Sequence, residues 1–167
     1  MTEAEEALKD PKVRAIINLC KVYGIGPAKA NELWEKHEID TVDKLKAKFK
    51  IQADIIHGKQ AIGLKYFDDL QERIPRNEVD AYNVRLQSIC SSISSSIIMS
   101  INGSYRRGLP TSGDIDLMIT SKTEDPSKLR KLLIKELTKQ GIIKATMASG
   151  KKKFMGVVKL ECEGFYK

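Results

Sequence analysis

The stretch GSYRRGLPTSGDIDLMIT, residues 103–120, decides how this chain reads. It opens on a glycine turn and continues through two adjacent arginines, Arg106 and Arg107. It ends with Asp114 and Asp116, one isoleucine apart, at the head of an apolar run. Residues two apart in a strand share a face. Read as a strand, GDIDLMIT projects Asp114 and Asp116 together and turns Ile115, Leu117 and Ile119 into a core. Two neighbouring carboxylates repel unless a cation neutralises them, and hard oxygen ligands suit magnesium. A bare pair of this kind is more often an exposed strand edge with two solvated aspartates.

The residues around the pair favour the metal reading. Gly103 lets the backbone approach a ligand closely. Amides at that turn and the Ser104 hydroxyl suit phosphate oxygens. Arg106 and Arg107 add charge-assisted donors, and Gly113 directly precedes the first aspartate. Phosphate binders and metal ligands at one hairpin are the equipment of nucleotidyl transfer.

Outward from this hairpin, the chain changes character near residue 80. Residues 1–80 read as a helical module. PKVRAIINLCK (11–21) puts Val13, Ile16, Ile17 and Cys20 on one helical face. YGIGP interrupts it, and Pro27 starts the next helix, with Ala30, Leu33 and Trp34 as its apolar side. Thr41 N-caps a short helix to Phe49. A further helix is expected over 61–73, and Pro75 marks a boundary before the long helix NEVDAYNVRLQSICSSI. Residues 81–167 read as an α+β module. Its elements are a strand at IIMSI, the GDIDLMIT strand, and an amphipathic helix LRKLLIKELTKQG stopped by Gly141. In that helix Leu129, Leu132, Leu133, Ile134 and Leu137 are apolar. A third strand is expected at KFMGVVKLE.

The 167 residues suffice for one ordinary domain or two small ones. With 41% hydrophobic and 31% charged residues the composition suits a soluble globular protein. The net charge of +7 fits a polyanionic partner or a solvated lysine-rich surface. No apolar run approaches a membrane span, and MTEAEEALKD resembles no signal peptide. Cys20, Cys90 and Cys162 are too few and too scattered for a disulfide framework or a zinc site, so a reducing, intracellular setting is expected. His37 and His57 are isolated.

GSYRRG…SGDIDLMIT resembles the palm motif of the family X DNA polymerases, most closely those of the polymerase beta type. VYGIGPAKA (22–30), IGLKYFDDLQERIPRNE (62–78) and KKFMGVVKL (152–160) follow the family's order and approximate spacing. The resemblance spans about Pro11 to Leu160. It implies an α+β fold: an all-helical helix-hairpin-helix, fingers-like DNA-binding module, then a partial nucleotidyltransferase palm with a small mixed sheet. Asp114 and Asp116 match two of three carboxylates that hold two magnesium ions, with manganese as a substitute. Ser104, Arg107 and Arg73 match triphosphate contacts, with Ser112 alongside and Gly103 and Gly113 offering backbone.

The hairpin VYGIGPAKA alone fits a plain turn between helices. In the family its amides meet a DNA phosphate at a helix N-terminus, without regard to sequence. The resemblance places Gly24, Gly26 and Lys29 at the DNA. It places the carbonyls of Cys20, Val22 and Ile25 on a sodium or potassium ion, and Lys153 on the template or primer backbone. Trp34, Tyr66 and Phe67 read as packing residues, and nothing in the sequence assigns Tyr105 a role.

The chain departs from the family in three respects. It has no counterpart of the lyase domain, of the strand bearing the third catalytic aspartate, or of the C-terminal subdomain. Glu161 and Glu163 are the nearby acids, but they sit too late on the expected 153–163 strand to substitute. The chain is therefore expected to be a piece of a larger polymerase, one that associates or is marginally stable alone because a strand edge is left open. The function expected is template-directed transfer of a deoxynucleotide to a primer 3′-hydroxyl, of the DNA-repair, base-excision type. The partners are gapped or primed DNA and a deoxynucleoside triphosphate, without a membrane. The setting is intracellular, nuclear in a eukaryote. The alternative is a non-catalytic DNA-binding module derived from such an enzyme. A nucleotidyltransferase for RNA ends or small molecules is disfavoured by the hairpin.

Overall fold

The computed structural model describes residue 6 and residues 8–160. The chain divides into two units, Met1–Phe67 and Asp68–Lys167. The division falls earlier than the change of character near residue 80. Residues 68–80 belong to the second unit because Ile74–Pro75 pairs with Thr111–Ser112 and Val79 is fully buried in that unit's core.

The first unit is helical. Helix α1 (Pro11–Leu19) is capped by Asp10, whose carboxylate accepts from the Lys12 amide at 2.8 Å. Helix α2 (Pro27–His37) also starts on a proline, whose missing N–H would have no partner there. Thr41 caps α3 (Val42–Ile51) through the Lys44 amide, as expected from the sequence. A 3₁₀ turn (Ala53–Ile55) leads to α4 (Lys59–Lys65). The single helix expected over 61–73 is broken. Tyr66 leaves helical geometry at φ −105°, ψ 16°, and α5 (Phe67–Gln71) starts anew. The break lets Phe67 pack on a core built from Leu19, Val22, Ile25, Leu33, Leu45 and Ile56. Trp34, expected in the core, is half-buried.

The second unit is built around α6 (Arg76–Ile93), which buries Val79, Tyr82, Leu86, Ile89 and Cys90 at helical spacing. Against it lie the antiparallel pair β2 (Ile98–Ile101) and β4 (Leu117–Thr120), with Ile98 opposite Thr120 and Ile101 opposite Leu117. Between them run a four-residue helix α7 (Gly103–Arg106) and β3 (Thr111–Ser112), which pairs with β1 (Ile74–Pro75).

Helix α8 (Pro126–Lys139) buries Leu129, Leu133 and Leu137. Each such leucine contributes about 1.5–3 kcal/mol. Leu132, expected on the same face, is 49% exposed, because a stripe at i+4 spacing turns it aside. Gly141 stops the helix at φ 68°, with the Ile142 amide bonded to the Leu137 carbonyl at 2.9 Å.

Strands β5 (Ile143–Ser149) and β6 (Phe154–Val158) form a third antiparallel pair with two irregularities. The sheet is not mixed as expected. Every strand pair among the described residues is antiparallel, in three separate two-stranded ladders. The helix α8 crossover carries the chain to a ladder of its own instead of to a parallel neighbour of β4. Cys162, Glu161, Glu163 and the expected strand beyond residue 160 lie outside the described residues.

Candidate active site and nucleic-acid interface

The expected strand GDIDLMIT forms only in its second half. The Leu117 amide bonds back to the Ile115 carbonyl at 3.2 Å, a three-residue turn that interrupts pairing at Asp116. The alternation nevertheless persists. Asp114, Asp116, Met118 and Thr120 are exposed, whereas Ile115, Leu117 and Ile119 pack on the core. The aspartates are thus held outward by the burial of their neighbours. The Asn102 amide fixes the backbone further by donating to the Asp116 carbonyl at 2.8 Å.

Gly103 follows directly with φ 58°, and a Cβ built on it would lie 2.2 Å from Oδ2 of Asp116. The Asp116 carboxylate therefore lies against the bare Cα of Gly103, at the start of the helix that carries Ser104. Arg106 and Arg107 at the end of α7 are exposed. Arg73 is held at β3. Its Nε donates to Thr111 Oγ1 and its Nη2 to the Thr111 carbonyl, both at 2.8 Å. Its Nη1 comes within 3.7 Å of where a Gly113 Cβ would stand. The β1–β3 pair thus brings Arg73 beside Gly113, next to Asp114, and the β2–β4 hairpin brings Gly103 beside Asp116. Ser112, expected beside the triphosphate, is 2% exposed, with its side chain buried beneath the turn.

Two residues with no expected role also act here. Arg76 Nη1 donates to the carbonyls of Tyr105 at 3.0 Å and Leu109 at 3.3 Å. Its guanidinium stacks over the Tyr105 ring, 4.4 Å from the centroid. The Tyr105 hydroxyl donates to Asp80 Oδ1 at 2.6 Å, and this bond is the chief cause of a raised Tyr105 pKa. The sequence signal was RIPR itself, which carries a second arginine beside the one singled out.

The carboxylates have the donor chemistry of a divalent cation site. Neither takes part in an ion pair among the described residues. No group of three histidine, cysteine or acidic side chains that could hold a metal occurs among the described residues.

In the first unit, the turn between α1 and α2 buries Val22 and Ile25 and exposes Gly24 and Gly26. The Ile25 amide donates to the Val22 carbonyl at 3.0 Å, which leaves that oxygen one lone pair. Gly26 caps α2 without a side-chain bond, so amides of the first helical turn face outward from an exposed tip. Cys20 is half-buried and unpaired. Lys29 Nζ pairs with Glu32 at 3.2 Å. Lys153, in the second unit, is exposed at the β5–β6 turn. Its carbonyl accepts from Gly150, and Arg130 Nη2 pins the same turn through the Gly150 and Lys151 carbonyls at 2.8 Å.

A glycine turn, flanking arginines and outward paired aspartates on an antiparallel hairpin define a nucleotidyltransferase palm. Residues 73–167 match the family model described as DNA polymerase beta palm, and residues 18–71 match that of the fingers domain of DNA polymerase lambda. The chain belongs to the family X DNA polymerases. It is 38% identical over 120 residues to DNA polymerase lambda of Arabidopsis thaliana, covering 72% of this chain and 22% of that protein. It is 27% identical over 135 residues to DNA nucleotidylexotransferase of Gallus gallus, covering 80% and 26%. Against DNA polymerase lambda of Rattus norvegicus it is 26% identical over 149 residues, covering 86% and 25%. The chain thus spans about a quarter of the length of these relatives. No helix among the described residues is long and apolar enough to cross a membrane.

Proposed function

We propose that this chain supplies the fingers and the nucleotide-binding part of the palm of a DNA-repair polymerase, one that adds a deoxynucleotide to a primer 3′-hydroxyl. The observation that carries this reading is the placement of the Asp116 carboxylate against Gly103, at the start of the helix that leads to the exposed Arg106 and Arg107. Arg107, Ser104 and the backbone at Gly103 bind the triphosphate on one side, and Arg73 and the backbone at Gly113 on the other. Asp114 and Asp116 hold magnesium, for which manganese can substitute. When bound, the metal neutralises developing charge on the phosphates and lowers the pKa of the attacking hydroxyl.

The α1–α2 turn binds the DNA backbone. Amides at Gly24 and Gly26 and at the start of α2 meet a phosphate where the helix dipole favours negative charge. The carbonyls of Cys20, Val22 and Ile25 are oxygen donors for sodium or potassium, while Lys153 contacts the template or primer. These contacts read no base sequence, which suits gapped or primed duplex of any sequence. A nuclear setting in a eukaryote accords with DNA repair.

A second reading is a non-catalytic DNA-binding module. It is favoured by the lack, among the described residues, of a third acidic side chain beside the pair. One experiment separates the two: primer extension on gapped duplex with magnesium, run beside DNA binding at several salt concentrations. Incorporation by the chain, lost in Asp114→Ala and Asp116→Ala with DNA binding intact, supports the catalytic reading. Salt-dependent DNA binding without incorporation and without affinity for a magnesium deoxynucleoside triphosphate supports the module. Failure to bind DNA at low salt overturns both.

A further inference from the structure

Arg76 occupies the first position of α6, where the helix dipole disfavours a cation. It is half-buried, whereas Arg73, Arg106 and Arg107 are exposed. One guanidinium nitrogen and the backbone amide serve the loop that follows Gly103. Nη1 serves the Tyr105 and Leu109 carbonyls, the backbone amide serves the Pro110 carbonyl at 3.0 Å, and one guanidinium face covers the Tyr105 ring. Tyr105 in turn reaches Asp80, one turn further along the same helix. Residues 105–110 are therefore strapped to the first two turns of α6 from both backbone and side chain. The same loop carries Ser104 and Arg107. Arg73 stands just before α6, fixed to Thr111 at the loop's far end.

We propose that Arg76, acting through Tyr105 and Asp80, is a positioning residue for the nucleotide's polyphosphate. It sets the spacing between Ser104 and Arg107 on one side and Arg73 on the other, without touching the nucleotide. This rests on the reading of that loop as a triphosphate cradle. A guanidinium presents several donors in a fixed plane and stacks on an aromatic ring, whereas an ammonium is a point charge. Lysine at 76 therefore keeps the charge and loses the geometry.

The test is the affinity of the full chain for a magnesium deoxynucleoside triphosphate, measured by calorimetry. Arg107→Ala, a direct contact, reports on the cradle. Arg76→Lys is expected to weaken binding about tenfold. Asp80→Ala weakens it by a smaller factor, and Asp80→Asn, which keeps an acceptor for the tyrosine hydroxyl, restores it. The double variant Arg76→Lys/Arg107→Ala loses less than the sum of the two single losses, because the strap works in part through the contact already removed. A merely structural role for Arg76 would give additive losses. Should Arg76→Lys misfold by circular dichroism, Tyr105→Phe, which keeps the ring under Arg76 and removes the hydroxyl's bonds to Asp80 and Asn83, is measured in its place. Wild-type affinity in Arg76→Lys and Tyr105→Phe with a weakened Arg107→Ala overturns the strap and leaves the cradle standing. A wild-type chain that binds no triphosphate overturns the cradle and the strap together.

Discussion

Oδ2 of Asp116 lies where the Cβ of any residue but glycine at position 103 would stand, 2.2 Å away. The glycine that starts α7 and the second aspartate of the pair thus share one space. The positive φ of Gly103 adds a second reason for glycine there, since a side chain is strained at 58°. Gly103→Ala is expected to cost roughly 1–2 kcal/mol in backbone strain and to displace the carboxylate. Manganese binding followed by electron paramagnetic resonance should weaken roughly tenfold if that displacement costs about 1.4 kcal/mol. Unchanged manganese affinity would overturn the proposal that Asp116 holds a metal.

Gly63 plays a related part in the first unit. A Cβ there would meet the Tyr23 carbonyl oxygen at 2.2 Å and the Tyr23 amide nitrogen at 2.9 Å. Those are backbone atoms, so no rotamer change relieves the clash, and α4 packs directly on the hairpin. Gly63→Ala should destabilise the chain by about 1–3 kcal/mol in urea unfolding. It should also weaken DNA binding through the displaced hairpin. A variant with wild-type stability would show that α4 moves freely from Tyr23.

Tyr82 anchors the end of the described chain. It is 4% exposed, and its hydroxyl accepts from the Leu160 amide at 3.0 Å. Tyr82→Phe keeps the ring and strands a buried N–H, at a cost of about 1–3 kcal/mol. Hydrogen exchange at Leu160 should accelerate in step with the lost stability. An amide as protected in the variant as in the wild type would contradict the assignment.

Glu124 gives the expected pH response. Hydroxyls of Ser94 and Ser96 donate to its Oε1, that of Ser96 at 2.6 Å, and they hold its pKa below 4.5. The folded form binds this proton less tightly than the unfolded chain. The stabilisation is therefore complete above the unfolded value and is lost as pH falls through the folded one. Nuclear magnetic resonance titration of Glu124 should show the low value, and Ser94→Ala/Ser96→Ala should return it towards 4.5. A wild-type value at or above 4.5 would refute the donor arrangement.

Much of the site was legible because it is written in adjacent residues. The spacing of Asp114, Ile115, Asp116 and Leu117 fixed which side chains face water, and that alternation survives even where strand pairing fails. Pro27, Thr41 and Gly141 marked helix ends through local backbone chemistry, and the structure keeps all three. Strand β5 was missed, although Ile143, Ala145 and Met147 alternate with Lys144 and Thr146. That signal lay beside the stronger helical pattern of α8.

By itself the sequence determined the helix caps, the outward pair of aspartates, the basic loop and the family, since each depends on residues close along the chain. Tertiary structure decided the rest. It set Arg76 over Tyr105, buried Ser112, turned Leu132 outward, broke the 61–73 helix at Tyr66 and paired the strands as separate antiparallel ladders. Those outcomes depend on which surfaces meet after the chain has closed loops of tens of residues. Local propensity carries no information about such distant contacts, and only packing and hydrogen bonding between remote segments select among them.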